Sequence, residues 1–435
     1  MKKILLVSII LSIVLASSLQ GQQVRDYVGI LDAKRTFEPT RVSVEDTRYI
    51  GISYISEADS IIMQNCAIIL RKDLDFSPYF QIVLLDSFFM RHMELTEMSI
   101  LGWKRLGTKY LVKLDAEFPG DNMRLRYRLI DVDNSMETFR GKFEAGKSDY
   151  RALTHTVAND IIKNLTGDEG IYRTKIVYSK ELDKAKEIFM ADFDGYNERQ
   201  ITRNGYLNLS PAFGPDGNNI FFTSYKDGWP KLYVHNLANG STEIVSEHKG
   251  INSAAAVSPD GKTIACVLSK DGNSEIYLLE RSGKIKRRLT NSWAIETAPA
   301  WSPDGGSIAF TSDRTGVPQV YIMRNDGTNV RRLTFIGNYN DSPSWSPRGD
   351  RIAFVSRDRG FIVCSVDTLG NDFKILAHLG NNENPRYAAD GNHIIFTSDR
   401  LGRKELYTMD LFGQNQRRVT NTGGYASPDW GPIKK

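Results

Sequence analysis

One phrase recurs along the second half of the chain at a nearly constant spacing. Residues 301–316 read WSPDGGSIAFTSDRTG, and residues 345–360 read WSPRGDRIAFVSRDRG. The large residues aligned before the turn in each copy stand 42 to 44 positions apart: Phe213, Val257, Trp301, Trp345, Tyr387 and Trp430. A period near 40–45 residues with several short strands in each unit predicts the blades of a β-propeller.

Each unit contains four strand signals separated by turns. In the unit that includes Trp301, these signals are APAWS (298–302), SIAFTS (307–312), QVYIMR (319–324) and VRRLT (330–334). Pro-Asp-Gly and Asn-Asp-Gly sequences between them are typical of hairpin turns. The first strand is rich in alanine, serine and proline, as expected for an innermost strand, because innermost strands converge around the axis of a propeller.

The number of units predicts how the ring closes. Five complete units begin near residues 209, 253, 297, 341 and 383. Residues 175–202 supply three further strands, and ASPDW at 426–430 supplies a lone first strand. We therefore predict a six-bladed β-propeller over 171–432, closed by pairing of the C-terminal strand with the strand Lys175 to Ser179. Closure would bury the blade faces and remove free sheet edges.

The preceding region, residues 45–168, has a different pattern that predicts a small α/β domain. Apolar residues three and four positions apart indicate a helix over 60–74, and Leu153, Val157, Ile161 and Leu165 indicate another that stops at Gly167. Alternation over 111–118 and 123–129 indicates strands with one wet face. The second of these strands carries Arg124, Arg126 and Arg128 on one face. These arginines either bind an anion or lie on a solvated face of the sheet.

The first residues have the features of a secretory signal. Lys2 and Lys3 precede an apolar run from Ile4 to Ala16, and small residues follow. The run is shorter than the roughly 20 residues of a membrane span. The prediction is a signal peptide over 1–21, an N-terminal tail over 22–44, and a mature chain in the periplasm without a transmembrane span.

Several classes of function are not indicated. The net charge is only +4 and no long basic run occurs, so nucleic acid is not an expected partner. The chain lacks a G-x-S-x-G elbow and an H-E-x-x-H motif, and its three cysteines lie far apart. The expectation is a protein that is not an enzyme and holds no metal and no cofactor.

The remaining candidate is a binding surface at the mouth of the propeller channel. One polar residue recurs five positions before the aligned aromatic of successive units: Asn208, Asn252, Glu296, Asn340 and Asn382. Ser253, Thr297 and Tyr339 stand beside them. Such residues either recognise a partner by hydrogen bonds or satisfy local backbone groups where the strands begin. The pattern alone favours neither interpretation.

Two phrases together resemble the TolB family of periplasmic propellers. They are LTHTVANDIIKNLTGDEGIYRTKIVYS at 153–179, similar to that family's junction between an α/β domain and its first blade, and the repeated blade phrase itself. The resemblance covers roughly residues 45–432.

The resemblance implies a non-enzymatic component of the Tol–Pal system. Such a component binds the peptidoglycan-associated lipoprotein Pal and supports outer-membrane integrity and constriction during cell division. It implies Pal contacts at Ile251, Asn252, Ser253, Ala254, Ile295, Glu296 and Thr297. It also implies contact of the N-terminal tail with inner-membrane Tol proteins, but residues 22–44 do not align with the family's tail. The alternative is a secreted or periplasmic propeller that binds envelope glycan or peptide outside a Tol system.

Overall fold

The computed structural model describes residues 38–52, 54–83, 94–357 and 359–434. These residues form one mixed sheet with helices, followed by six four-stranded sheets arranged as the blades of a propeller. The predicted fold class is therefore confirmed. The signal peptide predicted over 1–21 and most of the predicted tail lie outside the described residues. In the part of the chain that is described, no helix has the length and apolar character needed to cross a membrane.

The first domain combines a mixed sheet with three helices among its described residues. Its strands are β1 (Thr40–Val44), β2 (Arg48–Tyr49), β3 (Phe80–Ile82), β4 (Tyr110–Glu117), β5 (Asn122–Asp131) and β6 (Met136–Gly146). Its helices are α1 (Glu57–Phe76), α2 (Glu97–Arg105) and α3 (Tyr150–Thr166), and a short 3₁₀ turn over Lys147–Asp149 precedes α3. The strand order is β3-β1-β4-β5-β6, and β2 also pairs with β4.

Local chemistry sets the ends of the helices. The side chain of Ser56 accepts a hydrogen bond from the backbone N–H of Asp59 at 3.1 Å, which satisfies one free donor at the start of α1. Helix α3 ends at Gly167, whose φ of 79° is left-handed and unstrained for glycine. The position of Gly167 in the sequence predicts this end. Helices α1 and α3 pack with β4 and β5 in one apolar core, whereas Trp103 of α2 packs against Leu111 on a separate cluster.

The domain begins earlier than residue 45, the boundary predicted from the sequence. Strand β1 pairs in parallel with both β3 and β4, so that Thr40–Val44 is part of the sheet rather than of the tail. Val42 and Val44 are buried. A run of five residues is too short for periodicity to distinguish a strand from an extended tail. Helix α2 and strand β6 were not predicted from the sequence.

The propeller blades are numbered in the order of their innermost strands. Blade 1 contains β10 (Asn208–Phe213), β11 (Asn219–Ser224), β12 (Lys231–Asn236) and β13 (Thr242–Ser246). Blade 2 contains β14 (Asn252–Val257), β15 (Thr263–Leu268), β16 (Glu275–Glu280) and β17 (Ile285–Arg288). Blade 3 contains β18 (Glu296–Trp301), β19 (Ser307–Ser312), β20 (Gln319–Arg324) and β21 (Arg331–Arg332). Blade 4 contains β22 (Asn340–Trp345), β23 (Arg351–Arg357), β24 (Phe361–Asp367) and β25 (Lys374–Ala377). Blade 5 contains β26 (Asn382–Tyr387), β27 (His393–Ser398), β28 (Glu405–Asp410) and β29 (Arg417–Arg418). Blade 6 contains β30 (Tyr425–Trp430), β7 (Lys175–Leu182), β8 (Ala185–Asp192) and β9 (Arg199–Gln200).

Every innermost strand contains a bulge at the same position. Its third residue has a positive φ of 49–55° and interrupts the pairing with the second strand: Ser210, Ala254, Ala298, Ser342, Asn384 and Ser427. Proline follows this residue in five of the six strands. A bulge bends the strand and increases its twist. The small side chains at and around the bulge line the central channel, a cavity of about 450 Å³.

The C-terminal strand closes the ring, as the sequence analysis predicted. Strand β30 is antiparallel to β7, with Trp430 opposite Ile176 and Ala426 opposite Ser179. The indole N–H of Trp430 donates to the hydroxyl of Thr174 at 2.8 Å. Blade 6 is therefore built from two parts of the chain that lie about 250 residues apart in sequence.

Removal of residues 425–435 is expected to open the ring, because β7 would lose its inner partner and expose an edge. The expected result is a lower melting temperature and the appearance of oligomers in size-exclusion chromatography with light scattering. Removal of residues 434–435 alone is the control and should change neither property, because Lys434 is exposed. A monomeric 425–435 deletion with an unchanged melting temperature would contradict closure by this strand.

The two domains share a continuous apolar core. It includes Leu70 and Val157 from the first domain and Ile176, Ile395 and Trp430 from the propeller. The α/β domain lies against blades 5 and 6 at the ends of the strands remote from the channel mouth, where Arg417 pairs with Asp75 at 2.6 Å and also bonds the carbonyl of Lys72.

A buried histidine lies at this domain interface with an acceptor at each ring nitrogen. His393 Nδ1 lies 2.7 Å from Asp390 Oδ2, and Nε2 lies 2.9 Å from the carbonyl oxygen of Phe76. Both nitrogens must donate, so this geometry requires the imidazolium form. Burial opposes the charge, but the Asp390 carboxylate and the Phe76 carbonyl outweigh it and raise the pKa of His393.

We expect the stabilisation by His393 to depend on pH. Because the folded pKa is raised, the stabilisation should be complete below the unfolded pKa of about 6.5 and should be lost as pH rises through the folded pKa. The difference in melting temperature between the native protein and His393→Gln should therefore be largest in mild acid and should shrink at alkaline pH. The exposed His378, changed to Gln, is the control. A difference that grows with pH would contradict this assignment.

Candidate protein-binding face

Two sets of loops form the face of the ring at which the innermost strands begin, here called the channel-mouth face. One set joins the outermost strand of a blade to the next innermost strand: 201–207, 247–251, 289–295, 333–339, 378–381 and 419–424. The other set joins the second and third strands of each blade. The α/β domain packs at the opposite ends of the strands, so the channel-mouth face is not covered by it.

The five polar residues predicted to recognise a partner are buried. Asn208, Asn252, Glu296, Asn340 and Asn382 each retain at most 1% of their surface. The asparagine side chains bond the loop before their own strand and also the preceding blade, as where Nδ2 of Asn208 donates to the carbonyl of Lys186 and Nδ2 of Asn252 to that of Pro230. The repeated polar position therefore builds the loops from within and does not present amides to a partner.

Asn252 illustrates this arrangement. Its Nδ2 donates to the carbonyl oxygens of His248 at 2.7 Å and Gly250 at 3.1 Å, and its Oδ1 accepts from the N–H of His248 at 2.9 Å and from Ser246 Oγ at 2.7 Å. Asn340 bonds the carbonyl of Ile336 at 2.9 Å in the same way. The interpretation in which these side chains satisfy local backbone groups is the one that the geometry supports.

Glu296 differs because it carries a charge. Its Oε1 accepts from Ser312 Oγ at 3.0 Å and from the Arg314 guanidinium at 2.9 Å. Burial raises the pKa of Glu296, although Arg314 acts in the opposite direction. The carboxylate thus joins two loops of blade 3 and does not face solvent.

A second group of buried acidic side chains, which the sequence analysis missed, supports the same loops from the third strands. Glu187 accepts from the backbone N–H groups of Asn204 and Gly205 at 2.9 and 2.7 Å. Glu275 accepts from the N–H of Ser292 at 2.7 Å, and Glu405 from that of Gly423 at 3.0 Å. Loops fixed in this way are organised before any partner arrives.

The other predicted residues lie nearer the surface. Ile251 and Ile295 are exposed, whereas Ser253, Ala254 and Thr297 are half-buried at the channel. Tyr339 is half-buried, and its hydroxyl donates to Asp341 Oδ2 at 3.1 Å. Burial and the neighbouring Asp341 raise the pKa of Tyr339 to about 12, so that it is a neutral donor at physiological pH.

Exposed apolar side chains, most of them not predicted, characterise this face. Trp293, Trp229 and Phe335 have 78%, 72% and 66% of their surface exposed. Of the fifteen large apolar side chains exposed on the described propeller, ten lie in the channel-mouth loops: Tyr206, Leu207, Trp229, Ile251, Trp293, Ile295, Val317, Phe335, Leu379 and Leu401. Their signal in the sequence is an aromatic or aliphatic residue inside a segment of turn composition, as in NSWAI and KDGWP. A concentration of such side chains on one face makes that face a candidate interaction surface.

The channel behind this face is narrow and carries few charges. Arg386 and Asp429 occupy a position held by alanine or serine in the other blades, and Arg386 Nε lies 3.9 Å from Asp429 Oδ1. Asp429 Oδ2 accepts the backbone N–H of Phe213 at 2.8 Å, which ties blade 6 to blade 1. These groups support the joint where the ring closes.

Other candidate sites from the sequence have structural roles. Arg124 of β5 pairs with Glu117 and Glu144 at 2.9 Å each, and Arg126 pairs with Glu117 at 3.1 Å, so cross-strand carboxylates neutralise the arginine face. Cys66, Cys266 and Cys364 are buried, and burial raises the pKa of the Cys66 thiol to about 12. Among the described residues no group of three or more His, Cys, Asp or Glu side chains is placed to hold a metal ion.

Comparison with known families identifies both domains. Residues 162–434 match the model described as the TolB beta propeller domain, and residues 42–138 match the TolB amino-terminal domain. The chain belongs to the TolB family. The two matches fall on the two domains seen in the structure. Together they cover most of the residues that the structure describes.

Individual TolB proteins support the same assignment. The chain is 36% identical over 188 residues to the Tol-Pal system protein TolB of Desulfosudis oleivorans, an alignment that covers 42% of this chain and 43% of the relative. It is 38% identical over 180 residues to that of Geobacter sulfurreducens, covering 41% of each chain. The chain thus spans less than half of the length of these curated relatives.

The solved structure of TolB from Acinetobacter baumannii superposes with a TM-score of 0.80 at 25% identity. The superposition covers 92% of this chain and 98% of that one. The likeness therefore includes both domains of this TolB-family chain and not only the propeller.

Replacement of Asn252 by Ala is expected to destabilise the protein by about 1–3 kcal/mol, because the carbonyls of His248 and Gly250 would lose their buried donor. The midpoint of urea unfolding measures this loss. The neighbouring half-buried Ser253, changed to Ala, is the control and should leave the midpoint nearly unchanged. If Asn252→Ala unfolds at the same urea concentration as the native protein, the amide does not support the loop.

Proposed function

We propose that this chain is a non-enzymatic, periplasmic component of a Tol–Pal system that binds the lipoprotein Pal through its channel-mouth face. Membership of the TolB family supports the system, since the curated relatives are named as Tol-Pal system proteins. In this role the protein supports outer-membrane integrity and constriction of the envelope during division. The proposed localisation follows from the signal-like first residues of the sequence.

The exposed apolar side chains of the channel-mouth face support the choice of this face as the Pal-binding surface. Trp293, Trp229 and Phe335 project from loops whose backbone is fixed by the buried side chains beneath. Large aromatic side chains on an ordered loop supply most of the binding energy in many protein interfaces, at a low cost in conformational entropy. Ile251 and Ile295, which the family resemblance implies as Pal contacts, lie on the same face.

The buried polar residues then have an indirect part in binding. Asn208, Asn252, Asn340 and Asn382 hold the loops that carry the exposed side chains, and Glu296 joins two such loops. In this proposal they are positioning residues. Contact with inner-membrane Tol proteins through residues 22–44 is a further part of the proposal that rests on the family resemblance alone.

The double variant Trp293→Ser and Phe335→Ser should weaken binding to purified Pal, because it removes two exposed aromatic anchors. Loss of one central anchor typically costs about 2 kcal/mol or more, which is about thirtyfold in affinity. Isothermal titration calorimetry would measure the change. Circular dichroism and the melting temperature should stay unchanged, since both side chains are exposed.

The matched control is Val330→Ser with Leu369→Ser, which removes two exposed apolar side chains from turns at the opposite ends of the strands. The control should bind Pal normally. Equal Pal affinity of the two folded double variants would exclude the channel-mouth face. Binding of peptidoglycan fragments without any binding of Pal would favour the alternative, a propeller that acts outside a Tol system.

A further inference from the structure

A cluster of cations lies on the outermost strands of blades 2 and 3 and on the turns that precede these strands. This basic rim consists of Arg281, Lys284, Lys286, Arg287, Arg288, Arg324, Arg331 and Arg332. The two segments that contain it, 280–288 and 324–332, hold eight cations and two carboxylates, Glu280 and Asp326. Their net charge of +6 exceeds the +4 of the whole chain, so the rest of the chain is slightly acidic.

The basic rim is continuous across the two blades. Arg287 Nη1 of blade 2 donates to the carbonyl of Asp326 in the turn of blade 3 at 3.0 Å. Gly327 of that turn packs directly on the backbone of Leu289, close enough that a Cβ on the glycine would lie 2.8 Å from the carbonyl oxygen. The turn of one blade and the outermost strand of the other therefore present their charges side by side.

Most of the charge on the basic rim is not neutralised by neighbouring carboxylates. Among the ion pairs of the described residues, only Arg288 of the eight cations has an acidic partner, Glu275 at 3.1 Å and Asp271 at 3.6 Å. Arg331 and Arg332 bond backbone carbonyls, and Lys286 bonds the hydroxyl of Thr263 at 3.1 Å. The arginines of β5 are the opposite case, because cross-strand glutamates neutralise them.

The position of the basic rim leaves it accessible. Arg281, Lys284, Lys286, Arg287 and Arg324 are exposed. The α/β domain contacts blades 5 and 6, which lie across the ring from blades 2 and 3. Arg281, Lys284 and Arg324 lie at the ends of the strands opposite to the channel-mouth face. The rim extends from there along the outermost strands toward that face, where Arg332 lies over the ring of Phe335 at 5.1 Å.

We propose that the basic rim is a docking surface for a membrane that contains anionic phospholipids. The cations are spread along two neighbouring outermost strands and the turns before them, so they suit an array of phosphate groups better than a single small anion. A protein partner would be expected to require an apolar centre, which this rim lacks apart from Val330. Clusters of four to eight cations bind anionic lipid surfaces through charge alone, with each cation contributing about fivefold in affinity.

Co-sedimentation with vesicles tests the proposal. The full-length protein should sediment with phosphatidylcholine vesicles that contain phosphatidylglycerol and not with phosphatidylcholine alone. Binding should decline as salt shortens the Debye length toward about 8 Å. The variant Arg281→Gln, Lys284→Gln, Lys286→Gln removes three exposed cations and should lower the partition coefficient about a hundredfold.

The matched control is Arg105→Gln, Lys104→Gln, Lys142→Gln, which removes the same charges from exposed positions of the α/β domain. It should bind the anionic vesicles like the native protein, and both variants should keep the native melting temperature. Absence of binding by the native protein at low salt, or an equal loss in both variants, would overturn the proposal. Equal competition by inorganic phosphate or by polyglutamate would show that the rim binds anions in general and not a lipid surface.

Discussion

The structure of the propeller depends on burial of apolar strand faces between neighbouring blades. The cores lie across blade boundaries, as where Ile264 and Tyr277 of blade 2 pack with Phe221 and Leu232 of blade 1. A single four-stranded blade would leave such faces in water, so each blade is stable only beside the next one. The same constraint requires a closed ring, and it explains why one blade is completed by a distant strand.

The rigid ring allows the channel-mouth loops to display apolar side chains. In most soluble proteins an exposed tryptophan would be a liability for aggregation, but here each loop is held by buried groups such as Asn252 and Glu275. The polar groups lie inside and the apolar groups outside, the reverse of the usual arrangement of a surface loop. This inversion separates the residues that shape the face from those that contact a partner.

Much of the fold could be predicted from the sequence, because the strand pattern of a blade recurs in five complete units and one split unit. The strands 307–312 and 319–324 were predicted to the residue, since hairpin turns fix their ends. The site was predicted less well. A polar residue at the start of a strand has the same sequence pattern whether it points to solvent or into its own loop, and burial of Asn208 and Asn382 depends on loop geometry. Strand β1 was missed because its sheet partners, β3 and β4, are distant in sequence.

Ring closure also has a mechanical consequence. The first residue of β7 and the last residue of β30 lie at the same end of their antiparallel pair, with Trp430 opposite Ile176. A pulling force applied between the α/β domain and the C-terminus would therefore load the hydrogen bonds of this pair one after another, in the manner of a zipper, rather than all together. The bonds of Trp430 to Thr174 and of Gly431 to Lys175 lie at the loaded end. They would be the first to bear tension, and their rupture would release one strand while the other five blades keep their pairing.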